Sequence, residues 1–186
     1  MFEIIEIVTL PRLASTLVSC LFAGPVAYYI ARQRDRLART AVPLAPRSRG
    51  QLTAYFTAAD LDRTRLVESG SVRIPEPPFR SQLRYIGFYF PSTSLVAAIT
   101  FDHVIAAREA LSPSLLFHEL VHVVQYRLLG VNRFSRLYVR GFLSRGTYEE
   151  IPLECCASEL EHRFASDQRP FSVQAEVARW IELDLF

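Results

Sequence analysis

The stretch Ser112-Pro113-Ser114-Leu115-Leu116-Phe117-His118-Glu119-Leu120-Val121-His122-Val123-Val124-Gln125-Tyr126 governs how the rest of the chain is read. Ser112 is a good helix N-cap, and Pro113 fits the first helical position, whose amide would have no helical partner anyway. The apolar run that follows predicts a buried helix reaching Leu129 and stopping at Gly130, a natural C-terminal cap. Residues four apart share a helix face, so His118 and His122 can grip one ion together. Glu119 follows the first histidine, where it can reach a water on that ion without ligating the ion itself. Two imidazoles and a carboxylate base at this spacing are what a zinc hydrolase needs. Two ordinary histidines on a core helix are the weaker alternative, because half of the chain's four histidines fall at the ligand spacing, and a third ligand is still needed.

A catalytic zinc ion takes three protein ligands and keeps one position open. The downstream candidates are Glu149, Glu150, Glu154, Glu159, Glu161 and His162. Glu154 is preferred because Pro152 can open a helix running to about Ala165, with Glu154 in its first turn. Ala157, on the same face, is small enough to let that helix approach the motif helix. His162 would instead complete an all-histidine set. Cys155 and Cys156 are able to ligate zinc, but small apolar residues on a packed helix explain them more simply. Tyr148 is a candidate hydroxyl donor to a tetrahedral oxyanion, against the simpler role of a packed aromatic. His103 can line the site or be structural.

The 186 residues fit one domain with an appended N-terminal segment, and a 50% hydrophobic composition can build a sizeable core. A net charge of +2 argues against a nucleic-acid partner. All 21 basic residues are arginine, which codon usage explains without a phosphate-binding role. Three cysteines, two of them adjacent, cannot make a disulfide framework. Residues 13–30 carry no charge and reach the lower length for crossing a bilayer, with Arg32, Arg34 and Arg36 next in line. Three Ser/Thr residues and Gly24-Pro25 temper that apolarity, so a membrane anchor and a helix packed on the domain both stay open. Glu3 and Glu6 make a poor secretory leader. The expected location is the cytoplasm, free or attached to the inner face of the membrane.

Residues 31–50 read as a helix end followed by a linker. Gln51–Phe56 and Thr57–Arg65 read as short helices, with Thr57 capping the second. Ile74–Pro78 reads as a loop, and Tyr85–Phe90 as a strand or buried loop. Val96–Ala107 is a β-like run, an edge able to pair with an extended peptide. Helices are expected over Asn132–Leu143, closed by Gly146, and over Val173–Leu183. The fold class is therefore α+β, mostly helical, with a small sheet before the motif helix.

Glu154-Cys155-Cys156-Ala157 is similar to the Glu-x-x-Ala element that supplies the third ligand in many gluzincin-type metallopeptidases. The span Leu44–Phe164 resembles small bacterial minimal zincins, similar to the metallopeptidase-like domains of extracellular contractile injection systems. Matching features are Ala98–Asp102, His118–Tyr126 and Tyr148–Ala157. Two positions depart from the pattern: Cys156 replaces a common acidic residue, and Ser158 stands where several gluzincins place an aspartate against a metal-bound histidine. The resemblance implies a zincin-like core over 43–186, preceded by the apolar and arginine-rich segment 1–42. It implies one Zn²⁺ ion on His118, His122 and Glu154, and a peptide or protein substrate. Hydrolysis would use metal-activated water, with Glu119 as general base and Tyr148 assisting. Two other functions fit the residues: a zinc-binding scaffold without catalysis, and a membrane-tethered interaction domain with a vestigial metal site.

Overall fold

The computed structural model describes residues 12–68, 74–76, 96–145, 147–166 and 169–186, with side chains from Ser19 onward. The order is α1 (Arg12–Leu37), β1 (Val42–Pro43), α2 (Pro46–Leu52), α3 (Ala58–Arg63), β2 (Arg65–Glu68), β3 (Ala98–Phe101), β4 (Val104–Ala107), α4 (Pro113–Arg145), α5 (Pro152–Ala165) and α6 (Val173–Glu182). The architecture is α+β and mostly helical, and every described strand precedes the motif helix α4. The readings at Pro77-Pro78, Tyr85–Phe90 and Gly146 lie outside the described residues.

The sheet runs β1-β2-β4-β3, with β2 parallel to β4 and the other pairs antiparallel. The single run expected over Val96–Ala107 is instead a hairpin, folding back at Asp102-His103 so that Phe101 pairs with Val104. Asp102 takes a positive φ of 58° there, a conformation aspartate tolerates better than most residues. Arg34, Arg63 and His103 all pair with its carboxylate, at 3.3, 3.0 and 3.0 Å, which fixes the turn. Only β3, on the outside of the sheet, keeps the expected edge, because β4 is sandwiched between β2 and β3. The short helix expected over Gln51–Phe56 also shifts. Pro46 starts it, and Gly50 sits within its last turn instead of ending a linker.

Helix α4 is the spine of the molecule. Ser112 Oγ accepts from the Leu115 amide at 3.2 Å, capping the helix as its sequence predicts. Phe117, Leu120, Val121, Val123 and Val124 are fully buried, and a helix apolar on nearly all sides belongs inside. Gly130 interrupts it with φ 73° and ψ 155°, a backbone state glycine alone adopts cheaply. The two helices expected on either side of Gly130 are therefore two halves of one bent element.

Helix α1 lies against α4 and β3, with Tyr29 and Phe101 in edge contact at 5.9 Å. Residues 13–30 are part of this packed helix, and no described helix is long and apolar enough to cross a membrane. Helix α5 docks on α4 through Phe164, stacked on Phe117 at 4.4 Å. At Gly141 a Cβ would come within 2.8 Å of Pro152 Cδ, so only glycine lets the second half of α4 receive the start of α5. A buried Asp60 joins α3, α4 and α6. It accepts from Arg127 Nε and from Thr57 Oγ1, both at 2.6 Å, while Arg127 also donates to Gln174 at 2.8 Å.

Candidate metal centre

The first half of α4 presents His118 and His122 on one face, and the first turn of α5 brings Glu154 opposite them. The two Nε2 atoms stand 3.1 Å apart, and Glu154 Oε2 lies 3.3 Å from His118 Nε2 and 3.2 Å from His122 Nε2. Ligands 2.0–2.1 Å from a tetrahedral ion sit about 3.3–3.4 Å apart, so the three donors already have the spacing of a zinc cage. These three residues are the group that could hold a metal ion among the described residues. Two nitrogens and one carboxylate oxygen suit zinc chemically, and three protein donors leave a position open.

The outer nitrogen of each imidazole is also engaged. His118 Nδ1 lies 3.1 Å from Glu161 Oε2, and His122 Nδ1 lies 2.8 Å from Gln125 Oε1. An Nδ1–H donated to these acceptors leaves both Nε2 lone pairs free to face an ion, and such outer partners raise ligand basicity. Gln125 also donates its Nε2 to the Leu153 carbonyl at 2.9 Å, tying the residue before Glu154 to α4. Ser158, where a carboxylate was expected by resemblance, is exposed. Glu161, two turns beyond Glu154 on the same face of α5, brings the negative charge to His118 instead.

Glu119 is buried, and its Oε2 accepts from Thr100 Oγ1 of β3 at 2.6 Å. Burial raises its pKa, against the lowering pull of the two histidines and Thr100, making it a stronger base than a free carboxylate. Burial alone would lower the His122 pKa, but the Glu154 and Glu119 carboxylates push it up to about 9. Glu154 shows the reciprocal effect: burial works to raise its pKa, and the two histidines hold it well below the usual carboxylate range. It is a carboxylate, the form a metal requires.

Glu119, His122 and Glu154 open onto a cavity of about 150 Å³, which Tyr148 also lines. Its apolar walls come from Val26 and Ile30 of α1, Ala98 and Phe101 of β3, and Phe134 and Val139 beyond the bend of α4. Burial, reinforced by the nearby carboxylates, raises the Tyr148 pKa, so its phenol keeps a proton to donate. Tyr138, absent from the sequence-based candidates, shares that placement.

Of the other candidates, Glu149, Glu150, Glu159 and His162 are exposed, and His103 belongs to the β3–β4 turn. Cys155 and Cys156 are free thiols, and burial pushes the Cys156 pKa up to about 12, which disfavours the thiolate a metal needs. Thr100, Gln125 and Tyr138 are the residues that the sequence did not single out, while Glu161, a ligand candidate in the sequence, is instead an outer partner of His118. One carried a signal in its spacing: Gln125 stands three after His122.

No protein-family model matches the chain, and neither a curated protein nor a solved structure does.

Proposed function

We propose that this protein is a zinc-dependent metallopeptidase of the gluzincin type, with a zincin-like core that hydrolyses peptide bonds in a peptide or protein substrate. One observation carries the reading: three donors 3.1–3.3 Å apart on two helices, with a buried carboxylate held beside them. His118, His122 and Glu154 would hold one zinc ion. When bound, zinc supplies Lewis acidity, polarising a carbonyl and making water nucleophilic near neutral pH.

The chain's own residues then divide the remaining work. Glu119 is oriented by Thr100 to take a proton from the attacking water and pass it to the leaving amine. Tyr148 donates its phenolic hydrogen toward the developing oxyanion. Gln125 and Glu161 hold the imidazoles in one tautomer, so the ligands need not reorganise. Low-dielectric walls strengthen each of these interactions.

The test is zinc analysis and peptide cleavage on the wild type and Glu119→Gln. A peptidase keeps its zinc in the variant and loses turnover by at least the 10²–10⁴-fold typical of a general base. Zinc bound equally by both, with no peptide cleaved by either, leaves the scaffold reading in its place.

A further inference from the structure

The candidate ligands open onto a space far larger than the one water that their chemistry needs. The cavity holds about 150 Å³, the size of an apolar protein cavity that accepts one benzene ring. Among the described residues, its charged lining is Glu119, His122 and Glu154, all of which belong to the site itself. Both carboxylates are already engaged, Glu119 by Thr100 and Glu154 by two imidazoles. A lysine or arginine side chain would therefore enter without a free counter-charge, and an aspartate or glutamate would meet two negative groups. Either would be desolvated at a cost of several kcal/mol. A leucine or phenylalanine side chain would lose only its contact with water, which is favourable.

We infer that this cavity is the subsite for one apolar side chain of leucine or phenylalanine size, with α1 as one of its walls. The identity of the molecule bearing that side chain, a peptide with its bond at the three ligands, rests on the peptidase reading above. The N-terminal helix then has a task in selection: Val26 and Ile30 help decide which residue fits. Size discrimination comes from Val139, a further lining residue on the second half of α4.

The experiment titrates four tripeptides, Ala-Phe-Ala, Ala-Leu-Ala, Ala-Lys-Ala and Ala-Asp-Ala, into the full chain by calorimetry. Titrations run without metal on the wild type, and with zinc on Glu119→Gln so that binding is read without turnover. The phenylalanine and leucine peptides should bind at least tenfold more tightly than the other two. Val139→Phe should abolish that preference by filling the space. Val139→Ala, which only enlarges it, should improve Ala-Trp-Ala relative to Ala-Leu-Ala by severalfold. No saturable binding of the apolar peptides, equal binding of the charged ones, or an unchanged ranking in Val139→Ala would overturn the subsite. Cleavage by the zinc-loaded wild type is scored separately. An intact binding ranking with no cleavage supports the subsite and removes the peptidase reading. Cleavage without apolar preference removes the subsite and keeps the peptidase.

Discussion

Two buried carboxylates in this molecule have opposite surroundings. Asp60 is closed off by Arg127, by Thr57 and by its own capped helix, so a permanent cation and fixed donors satisfy it. Glu154 is almost as deeply buried, but its partners are two imidazoles, whose nitrogens stand as near to each other as to its oxygen. A guanidinium keeps its charge in any protein, whereas an imidazole can give up its proton to a metal. The first arrangement suits holding three helices together. The second is assembled yet exchangeable, as a ligand set has to be.

Breaking each centre should separate the two roles. Asp60→Ala leaves Arg127 without its carboxylate and should destabilise the fold by ~3 kcal/mol in urea unfolding, near the lower end for a broken buried pair because Arg127 is partly exposed. Zinc affinity per folded molecule should not change. Glu154→Ala should weaken zinc binding by more than the 10–100-fold typical of outer partners, or over ~2.8 kcal/mol, as read by competition with a chelating dye. Its metal-free stability should fall much less than that of Asp60→Ala. Equal stability losses in the two variants would erase the distinction.

A finer cut tests the outer partners. Glu161→Gln keeps an acceptor near His118 Nδ1 and removes the charge, so zinc affinity should drop by about tenfold, the mild end of outer-partner losses. An unchanged affinity would reduce that contact to a surface ion pair. The smallest effect is expected at Thr57→Ala, where loss of the cap should cost ~1 kcal/mol of stability. Its zinc affinity should match the wild type.

The sequence carried the parts of this centre that depend on local spacing. Ser112-Pro113 marked the start of α4, a four-residue interval put the histidines on one face, and Pro152 set Glu154 in a first turn. Contacts between elements left no such trace. Thr100 reaches Glu119 because β3 lies along α4, and Glu161 reaches His118 only once Phe164 has stacked on Phe117. The hairpin at Asp102 escaped notice because its turn contains neither glycine nor proline. Arginines from α1 and from the end of α3 hold the aspartate in the conformation a glycine would otherwise supply. Likewise, Val26, Tyr29 and Ile30 of α1 are apolar for a reason hydropathy could not distinguish: they are buried in the core, with Tyr29 against Phe101 of the sheet.

The bend at Gly130 ties two features to one backbone position. The half of α4 before it carries both histidines, and the half after it carries Phe134 and Val139 of the cavity wall. Any other residue at φ 73° and ψ 155° would be strained by about 1–3 kcal/mol, a penalty that straightening the helix would relieve. The histidine pair and the pocket shape are thus inherited together: a lineage that lost this glycine would face changes in both at once.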